Sequence, residues 1–290
     1  MKRILITGAG SYIGSCVEQH LNRWPEDYRV DTVDMIGDGW REMSFAGYDA
    51  VVHVAGIVHQ EKTKNDPQQE ALYDRVNARL PVEVAAKAKK DGVRQFLFMS
   101  SMSVYGLAAP VGKVVTITAD TPLCPNDNYG ISKKKAEEGL APLADGTFKI
   151  AVLRPPMIYG KGCKGNYVTL AKLAKKLPVF PLVENQRSML YMENLAEFIR
   201  LLIEDEADGV FCPQNEEYVN TSDLVNRIAH ANGKSLLLVG GFTWALKLLR
   251  SVTALPDKAF GSLCYDRELS RYPKNYWVKD LAQSVAETEQ

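Results

Sequence analysis

The sequence has little of what would mark an exported, metal-bound or membrane-spanning chain. Its five cysteines, Cys16, Cys124, Cys163, Cys212 and Cys264, are scattered, odd in number and without C-x-x-C spacing. That argues against a disulfide framework and a zinc site, so no metal is expected and a reducing compartment fits. Net charge is also absent: 35 lysines and arginines balance 35 aspartates and glutamates. No basic field draws the chain to a phosphate backbone, and nucleic acid is not expected as a partner. The opening "MKRILITG" has too short an apolar run for an export signal and no small-residue cleavage site. It reads as a first strand, and a cytoplasmic location is expected. Repeats, low-complexity segments and a linker are missing too. One apolar run, "SLLLVGGFTWALKLLRSVTAL" at 235–255, is interrupted by Gly240, Gly241, Lys247 and Arg250. A spanning helix needs roughly 20 mostly apolar residues, so a strand followed by a buried or interfacial helix is expected rather than a span. The sharper alternative is an amphipathic helix that touches a bilayer or covers a lipid-bearing substrate.

What is present is alternation. Strand-like runs recur at 3–7, 29–34, 50–54, 95–100 and 149–154, with helical patterns between most of them, the first over 12–23. Such alternation predicts an α/β fold with a parallel sheet and crossover helices. Asp66 before Pro67 is a helix start signal, and a second helix is expected to restart at Pro81. The segment between Asp34 and Tyr48 is too short for a full crossover helix and is expected to be abbreviated. Beyond about residue 157 the pattern loosens into short helical pieces. A cofactor domain over 1–156 is therefore expected, with 185–207 returning to it and a smaller substrate-binding region over 157–184 and 208–290.

"ILITGAGSYIG" places Gly8, Gly10, Ser11, Tyr12, Ile13 and Gly14 directly after the first strand and at the start of a helix. Glycines there permit a tight turn and close backbone approach to a pyrophosphate, whose charge the free N–H groups of the helix N-terminus stabilise. Asp34 ends the second strand twenty residues beyond Gly14, the separation at which a carboxylate meets the adenosine ribose hydroxyls and repels a 2′-phosphate. The expected fold is thus a Rossmann-like doubly wound parallel sheet, and the expected cofactor is NAD rather than NADP.

Further motifs come in a telling order: "HVAG" (His53 to Gly56), "FMSSMSVYG" (Phe98 to Gly106), "YGISK" (Tyr129 to Lys133), "LRPPMIYG" (Leu153 to Gly160) and "RSMLYMENLA" (Arg187 to Ala196). With the glycine turn, this set resembles the extended short-chain dehydrogenase/reductase family, in its NAD-dependent nucleotide-sugar epimerase/dehydratase branch, over roughly the first 200 residues. The resemblance implies a catalytic Ser101, Tyr129 and Lys133. Tyrosine alone, with pKa ~10, is a poor base at neutral pH; a lysine one helical turn away and a positive nicotinamide ring are expected to lower that value. The resemblance further implies that Lys133, Ala55, Gly56, Asn77 and the backbone near Pro156 place the cofactor. Ser101, Met102, Tyr129, Asn166 and Arg187 would then meet a sugar-diphosphate substrate, and the chain would pair as a homodimer.

Departures from the family pattern narrow the activity. Ser11 stands where the middle glycine of TGxxGxxG belongs, and Met102-Ser103 replace the acidic pair that dehydratases carry after the catalytic serine. Met157 occupies the position of an asparagine that contacts the nucleotide diphosphate in 4-epimerases. His59 lies just past the third strand, where a role near substrate or plain exposure both fit. An epimerase working through a transient 4-keto sugar is expected. A dehydrogenase or reductase of a sugar or other alcohol, an epimerase of a polyprenyl-diphosphate sugar, and a non-catalytic NAD-binding regulator are the alternatives.

Overall fold

The computed structural model describes residues 1–58, 66–241, 244, 248 and 255–290. The first half alternates β1 (Lys2–Thr7), α1 (Tyr12–Leu21), β2 (Tyr28–Val33), the single turn α2 (Gly39–Glu42), β3 (Ala50–His53), α3 (Pro67–Tyr73), α4 (Leu80–Lys90) and β4 (Gln95–Met99). After it come β5 (Val114–Ile117), α5 (Asn128–Leu140), β6 (Lys149–Leu153), β7 (Met157–Tyr159), α6 (Asn166–Lys176), β8 (Val179–Pro181), β9 (Met189–Tyr191) and α7 (Met192–Glu204). The chain closes with β10 (Gly209–Phe211), α8 (Thr221–Ala231), β11 (Leu237–Val239), α9 (Leu255–Phe260), β12 (Ser262–Tyr265) and α10 (Leu281–Glu289).

Two compact units result. The first comprises Met1–Gly106, Pro122–Pro155 and Leu195–Cys212. It is built on a parallel six-stranded sheet in the order β10-β6-β4-β3-β1-β2. β3 and β4 are buried at every position, as strands covered by helices on both faces must be. Leu5, Val51, Phe96 and Phe98 pack with Val84 and Ala85 of α4 and with Ala136 and Leu140 of α5. The chain leaves β1 for β2 on one side and returns on the other at β3. Doubly wound sheets take ligands at that reversal, beyond the carboxyl ends of the strands.

The abbreviated connection is there as one helical turn, α2. Pro81, by contrast, restarts nothing: α3 runs through a π-helical stretch, Asp74–Arg79, straight into α4, whose first turn contains Pro81. A proline lacks the N–H an α-helix needs and crowds the preceding turn; the wider π turn accommodates it without ending the helix.

The second unit comprises Leu107–Thr121, Pro156–Asn194 and Pro213–Gln290. Three short parallel strand pairs, β5 with β12, β7 with β9 and β8 with β11, take the place of a large sheet. Their core is aromatic and aliphatic. Tyr159 stacks on Tyr167 at 5.2 Å and its hydroxyl meets Ser284 Oγ at 2.6 Å, fixing β7 against α6 and α10.

Candidate active site

At the reversal of the sheet, Gly8 and Gly10 take φ of 100° and 72°, left-handed values that only glycine adopts cheaply. Gly8 also has no room for a side chain, because a Cβ there would stand 2.9 Å from the backbone nitrogen of Ala55. The turns after β1 and β3 therefore touch, and together they floor a cleft of about 720 Å³. Gly8, Ala9, Gly10 and Ser11 line one wall, with Asp34 and Met35 at one end and Ala55, Gly56 and Ile57 on the other side. The volume suits a small-molecule or cofactor site.

Ser11 explains its own departure from the glycine pattern. Its backbone is extended (φ −71°, ψ 151°), so no glycine is required, and its hydroxyl caps α1 by accepting the Gly14 N–H at 3.1 Å. Tyr12 and Ile13 form the first turn of that helix, whose N-terminus favours an anion. A Cβ on Gly14 would lie 2.8 Å from Ser11 Oγ and 3.1 Å from the Gly8 carbonyl, so the third glycine keeps this turn compact. Asp34 follows β2 directly and is exposed in the cleft, one carboxylate oxygen accepting the Ile36 N–H at 3.0 Å. A positive-φ turn, a close-approach glycine, a helix N-terminus and a terminal carboxylate around one cleft fit a dinucleotide.

Asn77 supports the loop after β3 from within the π-helical stretch. It is fully buried, accepts the Ile57 N–H and donates to the Ile57 carbonyl, each at 2.9 Å. The side chain thus replaces a strand partner for the loop after β3, holding Ala55 and Gly56 in place. Gly56 is the meeting point: a Cβ there would be 3.1 Å from Asn77 Oδ1 and 3.5 Å from Lys133 Nζ.

Ser101, Tyr129 and Lys133 come together in this same unit. Ser101 caps a 3₁₀ turn, Met102–Tyr105, by accepting the Ser103 N–H at 3.1 Å; its hydroxyl donates to Ser103 Oγ at 3.2 Å and stands near enough to the Tyr129 phenol to favour the phenolate. Tyr129 is the second residue of α5, which Asp127 caps by accepting the Gly130 N–H at 2.7 Å. Gly130 is required, because a Cβ would lie 2.5 Å from the Ser103 carbonyl, and so α5 starts tight against the serine turn. One turn on, the buried Lys133 ammonium donates to the Met99 carbonyl at 2.8 Å and stands 4.8 Å from the centre of the Phe98 ring. Met102 flanks Ser101 and is partly exposed.

Electrostatics here run against the expectation from spacing. Burial pushes the Tyr129 phenol up to about 12, opposed only in part by the nearby Ser101 hydroxyl. Burial lowers Lys133 to about 8, partly offset by the carboxylate of Glu137. Lys133 Nζ lies 5.9 Å from the Tyr129 ring centre and bonds elsewhere, so the lysine does not by itself make the phenol acidic.

Three neighbours escaped sequence reasoning. Glu137 sits one turn beyond Lys133; it accepts from Ser100 Oγ and pairs with Arg154, whose Nη1 donates to the Tyr105 hydroxyl at 2.9 Å. The repeated spacing 129, 133, 137 along α5 was the available signal. Tyr73 packs edge-on against Tyr129, with ring centres 6.4 Å apart. His53, buried at the end of β3, meets Thr7 Oγ1 through Nδ1 at 2.7 Å, and burial followed by the charge of Lys133 drives it down to about 3. It is therefore a neutral imidazole throughout the physiological range.

The other expected contacts belong to the second unit. Asn166 is the exposed first residue of α6. Arg187 pairs its backbone with Val219 and donates through Nη1 to the Gly261 carbonyl at 3.1 Å, while burial pushes its pKa down. Among the described residues no carboxylate pairs with its guanidinium. Pro156 opens this unit and is buried, and Met157 begins β7. His59 lies outside the described residues, as does most of the apolar run at 242–254.

A family model described as the NAD dependent epimerase/dehydratase family matches residues 4–212. The chain is 28% identical to UDP-glucose 4-epimerase of Vibrio cholerae, over 91% of this chain and 87% of that protein. It is 27% identical to N-acetyl-alpha-D-glucosaminyl-diphospho-ditrans,octacis-undecaprenol 4-epimerase of Escherichia coli O157:H7, over 80% of this chain and 73% of that protein. Its fold matches the crystal structure of UDP-glucuronic acid 4-epimerase from Bacillus cereus in complex with NAD. The TM-score is 0.72 at 18% identity, covering 98% of this chain and 96% of that one.

Proposed function

The chain belongs to the NAD dependent epimerase/dehydratase family, and from that premise we propose that it is an NAD-dependent 4-epimerase of a nucleoside-diphosphate sugar, working through a transient 4-keto sugar. The reading rests on the convergence of Ser101, Tyr129 and Lys133 in the unit that holds the cleft, with Lys133 against Gly56, whose loop walls that cleft. Ser101 hydrogen-bonds the substrate oxygen. Tyr129 takes the proton from the sugar hydroxyl as its carbon is oxidised and returns it when the carbon is reduced. Lys133, held by the Met99 carbonyl, keeps a positive charge one turn from the phenol and faces the cofactor through Gly56. NAD held by the Gly8–Gly14 turn, Asp34 and the Ala55–Gly56 loop would supply a reversible hydride acceptor and a positive ring. Burial favours the neutral phenol, so base strength at Tyr129 depends on positive charge gathered in the loaded site.

Arg187 supports a diphosphate-bearing substrate. A partly buried guanidinium whose one hydrogen-bond partner among the described residues is the Gly261 carbonyl keeps a planar fork of donors for phosphate oxygens. Met157 at a position where an asparagine would meet the nucleotide favours a second carrier, a polyprenyl diphosphate, which the E. coli relative's name includes. The exposure of Asp34 and Ile36 beside the cleft also keeps open an exchanging dehydrogenase of a sugar or other alcohol. Family resemblance makes a cytoplasmic homodimer part of the reading; light scattering checks the dimer.

The test is to denature freshly purified protein, assay the supernatant for nicotinamide, and incubate native protein with UDP-hexoses and UDP-N-acetylhexosamines. Retained NAD near one per chain with interconversion of 4-epimers is expected. Cofactor that washes away, with net reduction or oxidation of the sugar, would replace the epimerase with a dehydrogenase.

A further inference from the structure

The second unit carries an exposed apolar face set among lysines. Leu237 of β11 is 62% exposed and Val179, its register partner on β8, is 44% exposed. The Leu237 N–H donates to the Pro178 carbonyl at 3.0 Å, which joins this strand pair to the end of α6. Leu173 and Leu177 are exposed there as well. Lys234 Nζ donates to the Lys175 carbonyl, so the turn before β11 borders the same end of α6. Exposed apolar residues gathered on neighbouring elements in this way mark an interaction site.

Charge is gathered on the same stretches although the chain as a whole is neutral. From Lys161 to Val183 there are five lysines and no acidic residue. From Ala231 to Pro256 there are two lysines, one arginine and no acidic residue. Lys175 is paired with Glu289 at 2.8 Å; Lys172 and Lys176 are exposed without a carboxylate partner among the described residues. Just after β11, Trp244 and Leu248 are helical, four residues apart and 70% and 68% exposed. Among the described residues no helix is long and apolar enough to cross a membrane.

We propose that this face of the second unit docks on an anionic lipid bilayer, with Leu177, Val179, Leu237, Trp244 and Leu248 entering the headgroup boundary and Lys172 and Lys176 meeting lipid phosphates. Leucine and tryptophan beside lysine is the composition of interfacial surfaces, and each lysine near an anionic leaflet strengthens attachment. A second copy of the chain is the poorer fit, because self-pairing sets these lysines against their own equivalents. The inference stands apart from the sugar and from the catalytic reading, since attachment is measured without turnover.

The experiment is flotation of the purified full chain with vesicles of phosphatidylcholine, and with vesicles of equimolar phosphatidylcholine and phosphatidylglycerol, at low and high salt. Association with the anionic vesicles alone, weakened by salt, is expected. Lys172→Glu/Lys176→Glu and Leu177→Glu/Leu237→Glu, each checked for native circular dichroism, should bind at least roughly tenfold more weakly. Tryptophan emission should shift to shorter wavelength on binding in the natural chain and much less in Trp244→Phe. No association at low salt, equal association with both vesicles, or indifference to both double variants overturns the proposal. A dimer that Leu237→Glu dissociates, with no vesicle binding, would assign the face to a second copy instead.

Discussion

Glu137 and Arg154 form a buried two-point ion pair: Arg154 Nη2 donates to Oε2 at 2.6 Å and Nε donates to Oε1 at 3.1 Å. The pair joins α5 to the end of β6. Through Ser100 and Tyr105 it also fixes the strand end and the 3₁₀ turn on either side of Ser101. Geometry on both sides of the serine is therefore tied to this ion pair. Removing one partner leaves the other charge uncompensated in a dry environment, so Arg154→Ala should cost about 3–5 kcal/mol in urea unfolding. An apolar double replacement of similar volume should cost much less, because no orphan charge remains.

Tyr129→Phe should keep the fold and the cofactor and lose at least about a hundredfold in kcat, the usual contribution of a positioned acid or base. The phenol itself can be followed by its ultraviolet difference spectrum against Tyr129→Phe. Without cofactor the phenolate should form only near the pH of about 12 that burial imposes. Adding oxidised NAD should move that titration to lower pH, as positive charge approaches. An unmoved titration would leave the tyrosine without a means of ionising at neutral pH.

Lys133 predicts a stability profile of opposite sign to that of a salt-bridged group. Its pKa in the folded chain is lowered to about 8 from 10.5, because burial penalises the ammonium. Below pH 8 the lysine is charged in both states and the whole burial penalty opposes folding. Between 8 and 10.5 the unfolded chain holds the proton that the folded chain has released, so stability should rise with pH. Lys133→Met should therefore be the more stable protein at neutral pH, by roughly 3 kcal/mol, with the gap closing as pH rises through that window. Activity should be lost at every pH. Urea melts of both proteins across the window check the sign.

The sheet was legible because its inner strands are buried on both faces and read as short apolar runs between turn signals; the five expected strands all occur, with ends moved by a residue at most. The sixth, Gly209–Phe211, is too short and too exposed to leave a pattern. That Tyr129 and Lys133 share one helix was legible by spacing, and their grouping with Ser101 only through the ordered motif set. The sign of their electrostatics was not, since burial comes from residues distant in sequence such as Tyr73 and Phe98. Pro81 misled for a related reason: a proline breaks an α-helix, but the π stretch that admits it leaves no mark in composition. The same stretch brings the buried Asn77 against the Ile57 backbone.

Ser11 offers a test of whether a departure from a family pattern is a loss or a substitution of function. The glycine expected there would allow the closest approach of a pyrophosphate, but the serine backbone is already in an ordinary extended conformation, and its hydroxyl satisfies the Gly14 N–H. Ser11→Ala removes the cap without freeing the backbone and should cost about 1 kcal/mol in stability. Ser11→Gly should cost only a few tenths, since glycine is itself tolerated at a helix cap. If the serine serves the helix alone, calorimetric titration should give both variants nearly the affinity for NAD of the natural chain. If the hydroxyl also meets phosphate, both should bind NAD several-fold more weakly, alanine no better than glycine. Tighter binding in Ser11→Gly alone would show that the serine narrows the approach, and that α1 gains its cap at the expense of the cofactor.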